Sequence, residues 1–277
     1  MPELPEVETV LRTLEHQIKG RQIVQIEVRY AKMIDAMDAS EFTKRLMHQH
    51  FVTFSRVGKY LVFGMDDVNL VVHLRMEGKF YIYQKDEDPY SKHAHIVFTL
   101  DDGRKLVYHD VRKFGRMYIY DKDQPLPLQK AFQHVGYDAF DVRVDANYLY
   151  QQAKKRKTTL KQFLLDQSVM AGVGNIYADE IAYRSKFHPE TKVYHLTKKD
   201  FQTILDNTRM ILKGAIKAGG TTIRSYTSSL GVDGKFQLQL KVHMKKGDAC
   251  PTCGKPIEKI VVGGRGTYLC RTCQKRK

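Results

Sequence analysis

Hydrophobic residues near the start of the chain recur with the period of a helix. Val7, Val10, Leu11 and Leu14 stand at positions i, i+3, i+4 and i+7, which predicts a helix over residues 2–14. Pro5 suits the first turn, where a missing backbone N–H breaks no hydrogen bond. The chain therefore opens with an amphipathic helix that packs one face against a core.

From about residue 21 to residue 120 the pattern changes to short runs of β-branched and aromatic residues. Turn sequences such as Asp101-Asp102-Gly103 separate the runs. Few helical patterns intervene, so the region is predicted to form an antiparallel sandwich. The predicted strands are Ile23–Val28, Phe51–Val57, Tyr60–Phe63, Leu70–Leu74, Phe80–Tyr83, His95–Leu100, Lys105–His109 and Met117–Tyr120.

After a proline-containing segment at residues 121–129, interpreted as a linker, the helical period returns. Gly219-Gly220 ends the last predicted helix. Residues 221–235 are rich in Thr, Ser and Gly and predict a long loop, a kind of segment that is usually functional or mobile. Residues 236–243 alternate and predict a strand. The predicted helices span residues 145–155, 158–169, 175–187 and 197–218.

The charge of the chain narrows the class of function. Its 277 residues carry a formal net charge of +15, and the pI is about 9.5. Such a pI is typical of nucleic-acid-binding proteins, with a merely soluble basic protein as the alternative. No apolar run approaches the ~18 residues of a membrane helix, and the acidic, proline-bearing start differs from a secretory signal. We therefore expect a cytoplasmic location and no membrane partner.

All four cysteines lie near the end of the chain, in two Cys-x-x-Cys pairs. Sixteen residues separate Cys250 and Cys253 from Cys270 and Cys273, a spacing typical of a structural zinc site. Four thiolates close the coordination of one Zn²⁺ and leave no open position for catalysis. Arg265, between two glycines in the predicted hairpin, is free to approach another backbone. The zinc module by itself is equally consistent with a protein or an RNA partner.

Two glycines, Gly172 and Gly174, precede a predicted helix with Asn175 as its cap. Free N–H groups at such a helix start attract phosphate. An ordinary tight turn with an asparagine cap fits the same pattern equally well.

Removal of Met1 would give Pro2 a secondary amine. A terminal amine has a pKa of about 7.7–8, against about 10.4 for lysine, so far more of it is unprotonated at neutral pH. Such an amine can attack C1′ of a nucleotide, expel the base and form a Schiff base, while a carboxylic acid at Glu3 or Glu6 supplies a proton. The alternative is a helix start rich in proline and glutamate that has no chemistry.

Seven motifs follow one another along the chain. They are Met1–Glu8, Gly58–Leu61, His73–Met76, Lys92–His95, Asp110–Gly115, the turn Gly172–Glu180 and the four cysteines. Together they resemble the formamidopyrimidine-DNA glycosylases, which excise oxidised purines from duplex DNA and nick the backbone. The resemblance covers essentially the whole chain.

The resemblance implies a multidomain α+β fold. It consists of an antiparallel β-sandwich with a flanking helix (residues 2–122), a helix–two-turn–helix DNA-binding domain with a lesion-recognition loop (130–228), and a zinc-finger hairpin (236–277). The implied function is that of a bifunctional glycosylase and lyase of base excision repair, acting on 8-oxoguanine and formamidopyrimidines by β,δ-elimination. The implied partner is duplex DNA with oxidised purines or abasic sites, and we expect a monomer.

The resemblance also assigns roles to individual residues. Pro2 becomes the nucleophile, Glu3 the general acid, Lys59 the proton donor in β-elimination, and Arg265 the residue for δ-elimination and phosphate binding. Positions that bind DNA are His73, His93, Arg112, Lys157 and Asn175, of which all but Arg112 contact the DNA backbone. The gap left by an extruded base would be filled by Met76, Arg112 and Phe114, although a core methionine and a solvated arginine fit the pattern too. Lesion recognition falls to Glu6, Glu77, Thr221, Thr222, Arg224 and Tyr226.

Two other functions remain open on the sequence. One is the sister endonuclease VIII-like branch, which prefers oxidised pyrimidines. The other is a non-catalytic zinc protein that binds nucleic acid, which retention of Met1 would favour because the nitrogen of Pro2 would then be an amide.

Overall fold

The structure is a computed structural model that describes residues 1–89, 91–221 and 234–277. Three of the expected lesion-recognition residues, Thr222, Arg224 and Tyr226, lie outside the described residues. The chain divides into two compact units. The N-terminal unit comprises Met1–Gln133 and Gly219–Lys235, and the C-terminal unit comprises His134–Ala218 and Phe236–Lys277.

Eight strands build the described part of the N-terminal unit, and every predicted strand is present with small shifts at its ends. They are β1 (Ile23–Val28), β2 (Thr53–Val57), β3 (Tyr60–Gly64), β4 (Val68–His73), β5 (Lys79–Tyr83), β6 (Ala94–Leu100), β7 (Lys105–His109) and β8 (Arg116–Asp121). They pair as two antiparallel sheets, in the orders β1-β6-β7-β5 and β2-β3-β4-β8. The expected antiparallel architecture is confirmed.

Side chains from both sheets share one core. Phe63 on β3 packs edge-on against Phe80 on β5, with 5.9 Å between ring centroids. The helix α1 (Leu4–Ile18) buries its predicted stripe, from Val7 to Leu14, in the same cluster. The helix start is therefore fixed against the sandwich by apolar packing.

A short helix, α2 (Ala39–Leu46), was not predicted. It buries only Phe42 and Leu46, too few positions to establish a helical period, and its start is capped by the side chain of Asp38.

Four helices and one hairpin make up the described C-terminal unit. They are α3 (Ala146–Lys154), α4 (Leu160–Leu165), α5 (Asn175–Arg184), α6 (Lys198–Lys217) and the strands β9 (Glu258–Val262) and β10 (Arg265–Leu269). Capping boxes start α4 at Thr159 and α6 at Thr197. Helix α4 is shorter than predicted.

Two local predictions in this unit were wrong. Residues 236–243 do not form a strand, because the backbone N–H groups of Lys241, Val242 and His243 donate to the carboxylate of Glu180 at 2.9–3.0 Å. Only a short 3-10 turn, Phe236–Gln239, forms there. Asn175 is the first residue of α5 rather than its cap, a position taken by Gly174.

None of the helices in the described part of the chain combines the length and apolar character needed to cross a membrane.

Candidate functional site

The start of α1 brings the proposed acid and a second carboxylate together. Pro2, Glu3 and Glu6 are all buried, and the backbone N–H of Glu3 donates to Oε2 of Glu6 at 2.9 Å. The other oxygen of Glu6 accepts from the backbone N–H and hydroxyl of Thr221, at 2.8 and 3.0 Å. Glu6 therefore fixes the chain start and Thr221 to one another.

Lys59 lies in the two-residue turn between β2 and β3, with 6% of its surface exposed. Burial, and then the positive charge of Lys59, lower the pKa of the N-terminal amine of Met1, the residue directly before Pro2, while Glu3, Glu6 and Glu77 oppose the shift. An amine at this place is therefore easier to deprotonate than one in water. The structure brings together the residues predicted as nucleophile, acid and proton donor.

His73 ends β4 and is buried. Its Nδ1 accepts a hydrogen bond from the backbone N–H of Arg75 at 2.9 Å, and the ring packs edge-on against Tyr60. Burial, with the charges of Arg75 and Lys59, lowers the pKa of His73 to about 3. The ring is therefore neutral at neutral pH, and its remaining proton is on Nε2, which can donate one hydrogen bond to a phosphate.

The predicted gap-filling residues are exposed rather than part of the core. Met76 exposes 37% and Phe114 48% of its surface. The guanidinium of Arg112 lies 4.7 Å from the centroid of the Phe114 ring. Asp110 organises their turn, because its carboxylate accepts the backbone N–H groups of Arg112 and Gly115 at 3.0 and 2.7 Å.

A buried tyrosine lies against both of the turns that carry these residues. Tyr108 on β7 is fully buried, and its hydroxyl occupies the space that a Cβ would need at Gly78 and at Gly115. Gly78 closely follows Met76, and Gly115 follows Phe114 directly. The turns that carry Met76 and Phe114 thus both pack against Tyr108.

Two further predicted residues belong to this region. Glu77 is half-buried, and its charge acts on the N-terminal amine. His93 is half-buried, and its backbone carbonyl accepts from the N–H of Asp110 at 3.0 Å. Glu77 therefore lies near the chain start, and His93 lies beside the turn that Asp110 organises.

In the C-terminal unit, Asn175 and the zinc-finger hairpin contact each other. The amide of Asn175 donates to the carbonyl of Gly266 at 3.1 Å. Gly263 and Gly264 have φ angles of +56° and +74°, which allow the tight turn that leads into exposed Arg265. Lys157 is exposed in the loop before α4.

The four cysteines fit one structural zinc ion. Their sulfur atoms all lie within 4.8 Å of one another, and two of the pairs are 3.8 and 3.4 Å apart. Tetrahedral coordination with Zn–S bonds of about 2.3 Å separates sulfurs by about 3.8 Å. Burial and the neighbouring thiols raise the pKa of Cys273 to about 12, and a bound cation would favour its thiolate form.

Several residues that position the site were not predicted. Asp110 and Tyr108 act through contacts with the backbone of the site turns, and Arg56 joins α1 to the turn of Lys59. Among these residues, only Asp110 has a local sequence signature: an aspartate two residues before Arg112 is typical of a turn in which the carboxylate accepts a backbone N–H.

Comparisons with known proteins identify the family. Models described as the formamidopyrimidine-DNA glycosylase N-terminal domain, its H2TH domain and a zinc finger found in FPG and IleRS match residues 1–117, 135–227 and 247–276. A formamidopyrimidine-DNA glycosylase of Bacillus licheniformis is 45% identical over 279 residues and covers 100% of both chains. The chain belongs to the formamidopyrimidine-DNA glycosylase family. The enzyme of that name from Streptococcus pneumoniae is 45% identical over 276 residues, again with 100% of both chains covered.

Solved structures of the family are similar in fold as well. The Lactococcus lactis Fpg, in complex with DNA that contains an abasic site, superposes with a TM-score of 0.92 at 39% identity. The comparison covers 99% of this chain and 100% of that one. The predicted family, the multidomain α+β fold and the structural zinc site are therefore confirmed.

Proposed function

We propose that this chain is a bifunctional DNA glycosylase and lyase of base excision repair that excises oxidised purines from duplex DNA. The observation that carries the proposal is the buried cluster at the chain start, where the amine of Met1, directly before the proposed nucleophile Pro2, lies under the influence of Glu3, Glu6 and Lys59. Relatives support the substrate class, since solved family structures hold DNA with an abasic site and DNA with N7-benzyl-Fapy-dG.

Base release begins with the amine of Pro2, exposed by removal of Met1. As its nitrogen bonds to C1′, the bond from C1′ to the base breaks, and the bonding electrons leave with the base. Glu3 donates a proton to the departing group or to the sugar oxygen. Opening of the sugar then gives a Schiff base between Pro2 and C1′.

Strand cleavage follows because the Schiff base acidifies the proton on C2′. Loss of that proton expels the 3′ phosphate, and a second elimination expels the 5′ phosphate. Lys59 supplies a proton in the first elimination, and Arg265 serves the second and binds phosphate.

DNA is held through its backbone, and the damaged base is turned out of the stack. His73, His93, Lys157 and Asn175 contact phosphates, with neutral His73 as a hydrogen-bond donor. Flipping costs a few kcal/mol of stacking and pairing. Met76 and Phe114 replace the lost stacking, and Arg112 hydrogen-bonds the partner base.

Recognition of the flipped base is assigned to Glu6, Glu77 and the segment beginning at Thr221. The domain boundaries of residues 2–122, 130–228 and 236–277 are part of the proposal. So are a monomeric state and a cytoplasmic location.

Covalent trapping tests the nucleophile. Borohydride should reduce the Schiff base and leave the protein attached to 8-oxoguanine duplex through Pro2. Acetylation of the N-terminus should abolish the attachment, and intact mass should show that Met1 is absent from active protein. Undiminished trapping after acetylation would refute Pro2 as the nucleophile.

Substrate competition separates this function from the endonuclease VIII-like alternative. The relatives named formamidopyrimidine-DNA glycosylase favour the purine branch. Duplexes with 8-oxoguanine should therefore be cleaved in preference to duplexes with thymine glycol, and the reverse order would favour the alternative.

A further inference from the structure

Arg56 connects the two elements that carry the proposed catalytic groups. It lies on β2, and its side chain is 9% exposed. Its Nε donates to Oε2 of Glu8 on α1 at 3.0 Å, and its Nη1 donates to the carbonyl oxygen of Gly58 at 2.8 Å. Glu8 lies six residues after Pro2, and Gly58 directly precedes Lys59. One guanidinium thus joins the helix of the nucleophile to the turn of the proton donor.

The contact with Glu8 is a charged one. Burial opposes ionisation of this carboxyl group, but hydrogen bonds and charge from Arg56 and Arg12 outweigh burial and lower the pKa of Glu8. Charge-assisted hydrogen bonds are stronger than neutral ones. A planar guanidinium also fixes the directions of two acceptors at once, which a lysine ammonium does not.

The position of Lys59 matters because its charge acts on both the N-terminal amine and His73. Displacing a catalytic group by about 1 Å can slow a reaction by about a hundredfold. We propose that Arg56 is a positioning residue for strand cleavage, holding the turn of Lys59 at a fixed place relative to the start of α1. This inference rests on the function proposed above.

The chain offers a matched control at the other end of the same helix. Arg104 also binds one carboxylate and one carbonyl: its Nε donates to Asp102 and its Nη2 to the carbonyl of Gln17, both at 2.8 Å. Gln17 lies roughly 20 Å along the helix from its start. Arg104→Gln therefore loosens α1 without disturbing the turn of Lys59.

Three quantities should be measured for each variant under single-turnover conditions, normalised to the fraction trapped by borohydride. They are base release from 8-oxoguanine duplex, strand cleavage at a preformed abasic site, and affinity for a tetrahydrofuran duplex that cannot be cleaved. Arg56→Gln should lower strand cleavage by about tenfold or more and leave affinity within about threefold. Arg56→Lys should fall in between, and Arg104→Gln should leave all three within about threefold.

Two results would overturn the proposal. One is an Arg56→Gln protein, or an Arg56→Lys protein if the former does not fold, whose cleavage rate matches that of Arg104→Gln. The other concerns a protein that already carries Lys59→Ala. Adding Arg56→Gln to it should not lower the rate of strand cleavage further. If the two substitutions instead lower that rate by the product of their separate effects, Arg56 does not act through Lys59. A wild-type protein that releases no base would refute the proposed function instead.

Discussion

Glu3 combines burial with a place directly beside the proposed nucleophile. Glu3→Gln removes the proposed proton donor and preserves the shape of the side chain, so it should keep DNA binding and lose most base excision. Single-turnover excision from 8-oxoguanine duplex checks this. Glu15→Gln, which breaks an exposed ion pair with Lys19 on the same helix, is the control and should be unaffected. Excision by Glu3→Gln within about threefold of wild type would remove Glu3 from the mechanism.

His73 should make the stability of the protein depend on pH. Below pH 6.5 the unfolded chain binds a proton at His73, whereas the folded protein does not bind it until the pH approaches the folded pKa of about 3. The contribution of His73 to the free energy of unfolding is therefore fully present above pH 6.5 and decreases as the pH is lowered. His109, whose pKa burial and the neighbouring His95 and His93 lower to about 4, acts in the same direction. Replacing His73 by Gln should reduce the loss of unfolding free energy between pH 7 and pH 5 by about 1–2 kcal/mol.

Denaturant unfolding at several pH values measures this effect. His16→Gln, at an exposed position on α1, is the control variant and is unfolded at the same pH values. A His73→Gln protein with the wild-type slope would show that the neutral, buried histidine is not what makes acid destabilising.

Among the elements, the turn of Arg112–Phe114 should matter only when a base is flipped. Phe114→Ala should weaken binding to damaged duplex more than binding to undamaged duplex, because only flipping creates the gap that the ring fills. Val111→Ala removes an even more exposed apolar side chain from the same turn and should affect both duplexes little. An equal loss on both duplexes after Phe114→Ala would indicate general packing.

The support beneath this turn can be tested separately. Gly115→Ala places a methyl group against the hydroxyl and ring of Tyr108, so it should displace Phe114 and weaken lesion-dependent binding to a similar extent. Adding Tyr108→Phe removes the hydroxyl and should restore part of the binding. Gly214→Ala, whose methyl group would meet only the Phe236 ring at 3.7 Å, serves as the control. No restoration in the double variant would show that Tyr108 does not support the turn.

At the same scale, periodicity predicted some elements well and others badly. Val7 to Leu14 and the β-rich runs have many buried positions, so their patterns identify α1 and all eight sandwich strands. The failure at residues 236–243 has a different origin. There the amides bind the carboxylate of Glu180, which is some sixty positions away in sequence, and no local pattern reports such a contact.

Some residues of the candidate site could likewise be predicted from the sequence, and others could not. Cysteine spacing predicts the zinc ligands, and the motifs carry Pro2, Glu3 and Lys59 by resemblance. Arg56 and Tyr108 could not be found, because their importance lies in which backbone atoms the folded sandwich places beside them.

At the scale of the whole molecule, charge and zinc act together. An excess of 15 positive charges favours any DNA, since neutralised phosphates release counterions and make affinity fall with salt. The zinc ligands lie in the C-terminal unit, where Cys250 and Cys270 pack with Tyr183 and Val242 of that unit. The sandwich has a separate core, so loss of zinc should leave it folded.

Cys270→Ser should therefore release zinc and abolish duplex binding while the strand content survives, since structural zinc contributes on the order of 10 kcal/mol to folding such modules.

Arg265→Ala should retain zinc and weaken DNA binding. The affinity should also depend less steeply on salt concentration, by an amount that corresponds to the loss of roughly one phosphate contact. Arg271→Ala, on a guanidinium already paired with Glu258 at 2.9 Å, should change the salt dependence less. Metal analysis measures the bound zinc, circular dichroism measures the strand content, and DNA-binding titrations at two salt concentrations measure the affinity and its salt dependence. A Cys270→Ser protein that binds damaged duplex normally would show that the hairpin, and Arg265 with it, is not needed for DNA binding.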